Sequence, residues 1–273
     1  MKTDEPSKPA EASVPAPASA PTSELLLSCE GLSVGFGETP LLPGFDLQIR
    51  RGSFVSVVGR NGSGKSTWFK TLLGMLPPVA GRVVKNKAEL KCAYVPQTVG
   101  IDAVLPMRPK EMVLWGRLTG WNFLNPFASR QDRKIADAAL DTAGAREFAQ
   151  RPYRELSEGQ KQRSLLARMV ASEADLVLLD EPTAAMDAVA EKETMKRLVG
   201  LARERNMAVV VVSHDLGLAA QHADIMVFLD RETPTVVVGD SQTVFCHPSF
   251  RHQYGDEYCA RAKTGSHVGH DHG

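Results

Sequence analysis

The chain has 273 residues, 43% of them apolar, enough for one large α/β domain or a domain carrying a smaller insertion. Acidic and basic residues balance at 32 each, so the net charge gives no electrostatic reason to propose nucleic acid, whose binders usually need a basic face, and no nucleic-acid partner is expected. No apolar run approaches the roughly 20 residues that span a bilayer, so any membrane role must come through partners.

Residues 1–23 are rich in Pro, Ala and Ser and nearly free of large apolar side chains. Such a segment cannot bury enough surface to offset its ordering entropy and is predicted to be a disordered tail; it also lacks the apolar core of a signal peptide. From Glu24 the pattern changes. Leu25–Cys29 and Phe45–Ile49 read as strands, with the turn-rich segment Gly35–Gly44 between them. Phe54–Val58 is a compact, β-branched strand ending at Gly59, with a helix expected over Ser66–Leu76. After a short strand, Cys92–Val95, the stretches Lys110–Arg117 and Asp132–Gly144 carry apolar residues at helical spacing on either side of Trp121–Phe127. With a further helix at Lys161–Ala171 they predict a helical insertion over about 100–172 in an α/β core. Leu176–Leu179 and Met207–Ser213, the latter with four consecutive valines, are apolar on both faces, as in central strands of a parallel sheet. The cysteines Cys29, Cys92, Cys246 and Cys259 form no C-x-x-C pair, which predicts isolated buried thiols in a reducing compartment and argues against a disulfide framework or zinc knuckle. The end, Thr264–Gly273, is polar and histidine-rich.

The segment G-R-N-G-S-G-K-S-T at 59–67 satisfies G-x-x-x-x-G-K-[ST] between a predicted strand and a predicted helix, the context that this phosphate-binding motif requires. Glycines 59, 62 and 64 permit backbone angles that turn several N–H groups towards one point, where the new helix adds its positive dipole end. Gly59, Asn61, Gly62, Ser63, Gly64, Lys65, Ser66 and Thr67 are therefore candidate ATP contacts, with Lys65 reaching the β- and γ-phosphates and Ser66 available to Mg²⁺.

Leu176–Leu179 runs into Asp180 and Glu181, delivering two carboxylates at the end where parallel sheets bind ligands. Asp180 is expected to hold Mg²⁺ and Glu181 to act as general base towards the attacking water. His214 follows the valine strand and could donate to the γ-phosphate or position the water. Gln97, in Y-V-P-Q, could touch Mg²⁺ or that water. In L-S-E-G-Q at 156–160, Ser157 and Gly159 would offer a hydroxyl and a bare N–H at a second helix N-terminus. One ATP has one γ-phosphate, already claimed by Lys65, so this second anion site suggests service to a neighbouring chain's ATP.

Taken in this order, these elements resemble the ATP-binding cassette (ABC) ATPases over about residues 25–245. The resemblance rests on the Walker A loop 59–67, Gln97, the signature L-S-E-G-Q, the Walker B strand L-V-L-L-D-E, A-A-M-D at 184–187 and His214. It implies a phosphate-loop NTPase core with a mostly parallel sheet, an antiparallel N-terminal β subdomain and a helical insertion, within a cassette at 24–245 followed by an extension at 246–273. It also implies a head-to-tail dimer enclosing two ATPs with Mg²⁺. Gln97, Glu181 and His214 would be catalytic, with Ser66, Gln97 and Asp180 on the metal. Ser157 and Gly159 would come from the second copy, Asp187 would link the two sites, and Phe36 would stack on adenine. Two departures stand out. Glu158 replaces the first glycine of the usual L-S-G-G-Q, and A-A-M-D replaces S-A-L-D while keeping its aspartate.

A lone cassette without a membrane span looks like the ATPase subunit of an importer, peripheral on the cytoplasmic face of the membrane. Its partners would be integral permease subunits and, indirectly, a substrate-binding protein. V-L-W-G-R at 113–117 and F-R-H-Q-Y-G at 250–255 look similar to the group that imports zinc, manganese or iron chelates. His267, His270 and His272 could add a zinc site. The competing reading is a non-transport cassette acting on DNA or ribosomes. The interval between Walker A and Walker B lacks the sustained heptads of the DNA-repair members, and there is one cassette where the translation factors carry two.

Overall fold

A computed structural model of the chain describes residues 23–95, 107–117, 128–184 and 186–264. The predicted tail up to residue 22, Gln97, Trp121–Phe127, Ala185 and the tail histidines His267, His270 and His272 lie outside the described residues.

Strand β1 (Leu25–Ser33) is followed by two short strands, β2 (Gly35–Phe36) and β3 (Thr39–Pro40), which pair as a hairpin inside the expected turn region. β4 (Phe45–Arg50) alternates strictly, with Phe45, Leu47 and Ile49 inward and Asp46 and Gln48 outward, the pattern of a strand with one wet face. It pairs antiparallel with β1, setting Leu27 opposite Ile49 and Cys29 opposite Leu47. β5 (Phe54–Val58) and helix α1 (Lys65–Leu72) come next, and then β6 (Ala80–Lys85) returns along the other side of β1. This three-stranded antiparallel sheet packs on Trp68, Phe69 and Leu72 of α1. The predicted extension of α1 to Leu76 is cut short because Gly74 takes φ +75° and its N–H bonds back to the Thr71 carbonyl.

The second sheet is built from β7 (Cys92–Val95), β8 (Leu176–Asp180), β9 (Ala208–Val212), β10 (Ile225–Asp230), β11 (Thr235–Gly239) and β5, in the order β11-β10-β5-β9-β8-β7. All its pairs are parallel except β10 with β11. Every residue of β5, β8 and β9 is buried, which is why their sequences are apolar on both faces. Helices α4 (Glu158–Ser172) and α5 (Ala188–Glu204) cover the face opposite α1, packing Leu165, Met169, Met195 and Leu198 on Val177, Val209 and Val211. Two further helices, α2 (Pro109–Trp115) and α3 (Arg130–Thr142), lean on α4 through Met112, Val113, Ala139, Leu140, Ala167 and Ala171, whose alanines permit close approach. Among the described residues no helix is long and apolar enough to cross a membrane.

After α6 (Leu216–His222), the chain ends in α7 (Ser241–Phe245), α8 (Pro248–Tyr254) and α9 (Glu257–Thr264). Phe245, Phe250 and Tyr254 pack with Phe228 of β10. Here one expectation is corrected. Cys246 and Cys259 are joined in a disulfide, not isolated thiols. Phe245 packs against Tyr258 with the rings tilted and their centres 5.5 Å apart, so α7 and α9 meet, a contact that the spacing in sequence does not reveal. Cys29 and Cys92 remain free, and burial pushes the Cys29 thiol up to about 12.

Candidate functional site

Strand register assembles the site. Val57 of β5 lies opposite Val212 of β9, and Val212 opposite Asp180 of β8. The residues that follow, Gly59, His214 and Glu181, therefore emerge side by side at the carboxyl edge of the parallel sheet.

The loop at Gly59 is shaped by close approach. Gly59 has φ +149°, and a Cβ there would lie 2.3 Å from the Leu229 carbonyl oxygen. Gly64, at φ +101°, caps α1, so the chain turns straight into a helix whose first residues are Lys65 and Ser66. Lys65 is buried, and its Nζ donates to the carbonyls of Gly59 at 2.7 Å and Arg60 at 2.9 Å. Burial lowers its pKa, against the opposing pull of Glu181 and Asp180. These bonds hold an ammonium folded over the loop, ready to be shared with an incoming anion.

Ser66 Oγ donates to Asp180 Oδ2 at 3.0 Å, joining the loop to the end of β8. The same oxygen accepts from the Tyr94 hydroxyl at 3.2 Å. Burial and the Asp180 charge push Tyr94 up to about 12, so it remains a donor. Glu181 adopts φ +48°, an unfavourable angle for a side chain with a Cβ, and its Oε1 lies 2.6 Å from His214 Nε2. Asn61, Gly62, Gly64, Lys65, Ser66, Thr67 and Glu181 line one cavity of about 410 Å³, together with Phe36, Leu41 and Arg231. Phe36 is 62% exposed on the β2–β3 hairpin. His214 lines an adjoining cavity with Gly59, Arg60, Asn61 and Tyr254.

Ser63 is buried behind the loop. Ser157, Gly159 and Asp187 are exposed elsewhere and do not line the phosphate-loop cavity. Ser157 stands at the N-terminus of α4, where Gln160 Oε1 accepts its N–H at 3.1 Å, and the space beside Gly159 is open. Asp187 caps α5 by accepting the Ala190 N–H at 2.9 Å. Glu158 bends back along α4, with Oε1 3.0 Å from Lys161 Nζ. Tyr94 and Arg231 are members of the site that sequence reasoning missed. Tyr94 had a signal in its place on β7 beside β8, whereas nothing local marks Arg231.

A family model for ABC transporters matches residues 42–184. Over 231 residues the chain is 33% identical to the manganese transport system ATP-binding protein MntB of Bacillus subtilis, covering 83% of this chain and 91% of that one. The chain belongs to the ABC transporter ATPase family. It is also 36% identical over 236 residues to the zinc import ATP-binding protein ZnuC of Magnetococcus marinus, covering 86% and 85% of the two chains. A solved metal-chelate type ABC transporter in an inward-facing conformation superposes with a TM-score of 0.69 at 29% identity, over 81% of this chain and 85% of that one. As a member of this family the chain binds and hydrolyses ATP. The mostly parallel sheet with its antiparallel β subdomain is the ABC ATPase fold.

Proposed function

We propose that this ABC ATPase energises an importer of a metal ion, zinc or manganese, or of an iron chelate, from the cytoplasmic face of the membrane. One observation carries the mechanism: Glu181 lines the phosphate-loop cavity and its carboxylate lies 2.6 Å from His214, which lines the cavity beside it. The loop N–H groups and Lys65 bind the phosphates, and Phe36 stacks on the adenine. Glu181 accepts the proton of the attacking water, with His214 holding its carboxylate in place.

Ser66 and Asp180 present adjacent oxygen donors, the set that a magnesium ion takes beside phosphates. Bound there, Mg²⁺ would neutralise charge on the β- and γ-phosphates. Because Ser157 and Gly159 are exposed and do not line this cavity, they are read as completing the site of a second copy, with Asp187 between the two sites. A separate groove of about 680 Å³, lined by Tyr94, Val95, exposed Trp115 and Arg168 between β7 and the helices, is the surface assigned to the permease. MntB and ZnuC are named for manganese transport and zinc import, and that supports the metal reading.

The test is Glu181→Gln in the full chain. ATP turnover should fall at least a hundredfold, on the order expected for loss of a general base, while ATP binding persists. A variant with wild-type turnover would sink the assigned mechanism. Uptake of zinc or manganese by the reconstituted transporter tests the cargo separately.

A further inference from the structure

The phosphate-loop cavity has a wall that the motif does not supply. Arg231 lines it beside Asn61, Gly62 and Lys65, and also lines a neighbouring cavity of about 300 Å³ with Arg60, Ser63 and Gln253. It is the first residue beyond β10 and opens the turn into β11.

That turn is fastened to the loop at two points and braced from within. β10 pairs in parallel with β5, setting Phe228 opposite Val58, the residue before Gly59. Asp230, 1% exposed, accepts the Glu232 N–H at 2.8 Å and the Thr233 hydroxyl, which fixes the turn's shape. Glu232 then pairs with Arg60 at 2.9 Å. Arg231 lies between these fastenings. It is exposed, and its guanidinium has neither a hydrogen bond nor a carboxylate partner among the described residues.

The charge balance of the cavity makes that freedom meaningful. A nucleoside triphosphate carries several negative charges, and among the described residues the side chains lining this cavity include two cations, Lys65 and Arg231, together with the carboxylate of Glu181. Lys65 is already bound to two loop carbonyls. Arg231 has made no such commitment, and a guanidinium is suited to phosphate oxygens because its donors form a fixed planar fork.

We propose that Arg231 is a further nucleotide-contact residue, whose guanidinium donates to the phosphate chain of ATP seated in this cavity. The proposal rests on the reading of loop 59–67 as the ATP site and adds to it a cation from outside every motif. The Arg60–Glu232 pair and Asp230 act as positioning residues, holding the turn so that Arg231 faces the loop.

The experiment is titration of a fluorescent ATP analogue into the full chain carrying Arg231→Ala, Arg231→Gln, Arg231→Lys or Lys65→Ala. Arg231→Ala and Arg231→Gln should raise Kd on the order of tenfold, the effect of one lost charge-assisted hydrogen bond. Arg231→Lys should recover part of that loss, and removing the charge should flatten the salt dependence of binding. If Arg231→Ala lowers the melting temperature, the Gln and Lys variants decide by their difference, since both keep a long polar side chain. Kd within twofold of wild type for both neutral variants, with binding lost in Lys65→Ala, overturns the proposal and leaves the loop reading intact. Unchanged binding in Lys65→Ala overturns the loop reading and this proposal with it.

Discussion

Glu158 is the residue at which this signature departs from its family, and the structure changes how the departure reads. Its carboxylate does not project from the helix end. Oε1 is taken by Lys161 Nζ, which also lies 6.0 Å from the centre of the Tyr153 ring, and Oε2 is buried without a partner among the described residues. The local charge is therefore largely neutralised, yet the carboxylate still occupies the first turn of α4, where a partner's phosphate would need to approach. Glu158→Gly should tighten ATP-dependent dimerisation by a few-fold, measured by sedimentation in a Glu181→Gln background. Repulsion is screened by salt, so the gain should shrink as ionic strength rises. Dimerisation that matches the parent at every salt concentration would remove the carboxylate from the argument.

At the scale of elements, Asp175 joins the two sheets. It stands one residue before β8, yet Arg51 from the turn after β4 donates to it at 2.9 Å and Lys87 from beyond β6 at 2.8 Å, with the Lys91 N–H at 3.1 Å. Burial favours the protonated acid, but Lys87, Arg51 and the Lys91 N–H outweigh it and hold the carboxyl below its ordinary pKa. A depressed carboxyl pKa contributes stability that is full above the unfolded value, near ~4, and is lost as pH falls through the lower folded value. Asp175→Asn should therefore cost roughly 1–3 kcal/mol at neutral pH, because two cations lose their acceptor. The melting temperatures of variant and parent should converge in that acid range, and a constant gap from pH 7 to pH 3 would refute the link. Asp175 also shows where sequence reading stops. β5, β8 and β9 are legible because burial on both faces leaves an apolar run, and loop 59–67 is legible because a phosphate cradle is local. β6 is a largely exposed edge strand whose residues carry no apolar alternation, so it passed unread. Tyr94, Arg231 and the Asp175 network join the site or the sheets through strand order, which no window of sequence contains. The run Ile225–Asp230 carries a readable apolar signal for a strand, but nothing in it says that this strand lies beside β5 and so sets Arg231 at the loop.

At the scale of the whole molecule, the C-terminal helices form part of the support of the phosphate-loop cavities. Phe250 packs 5.2 Å from Phe228 of β10, ring centre to ring centre, and Tyr254 of the same helix lines the cavity shared by Gly59, Asn61 and His214. The disulfide closes the chain on either side of α8, joining Cys246 to Cys259 across 13 residues. A loop of that size restricts the unfolded chain by about 3 kcal/mol, which in a chain of this length corresponds to a shift of roughly 5–10 °C in Tm. In a reducing compartment a glutathione pool would draw such a pair towards its thiols, so both forms matter. Dithiothreitol should lower Tm by that amount in the parent and do nothing in the Cys246→Ser, Cys259→Ser double variant, which should melt like the reduced parent. Cys29 and Cys92 stay in place in both proteins, so a response in the double variant would trace the effect to them and away from the clasp. Hydrogen exchange should localise the loosening to α7–α9 first. The apolar contacts of Phe228, Phe250 and Tyr254 still hold α8 against β10 when the bond is open, so the wall beside His214 should be the last part of the extension to yield.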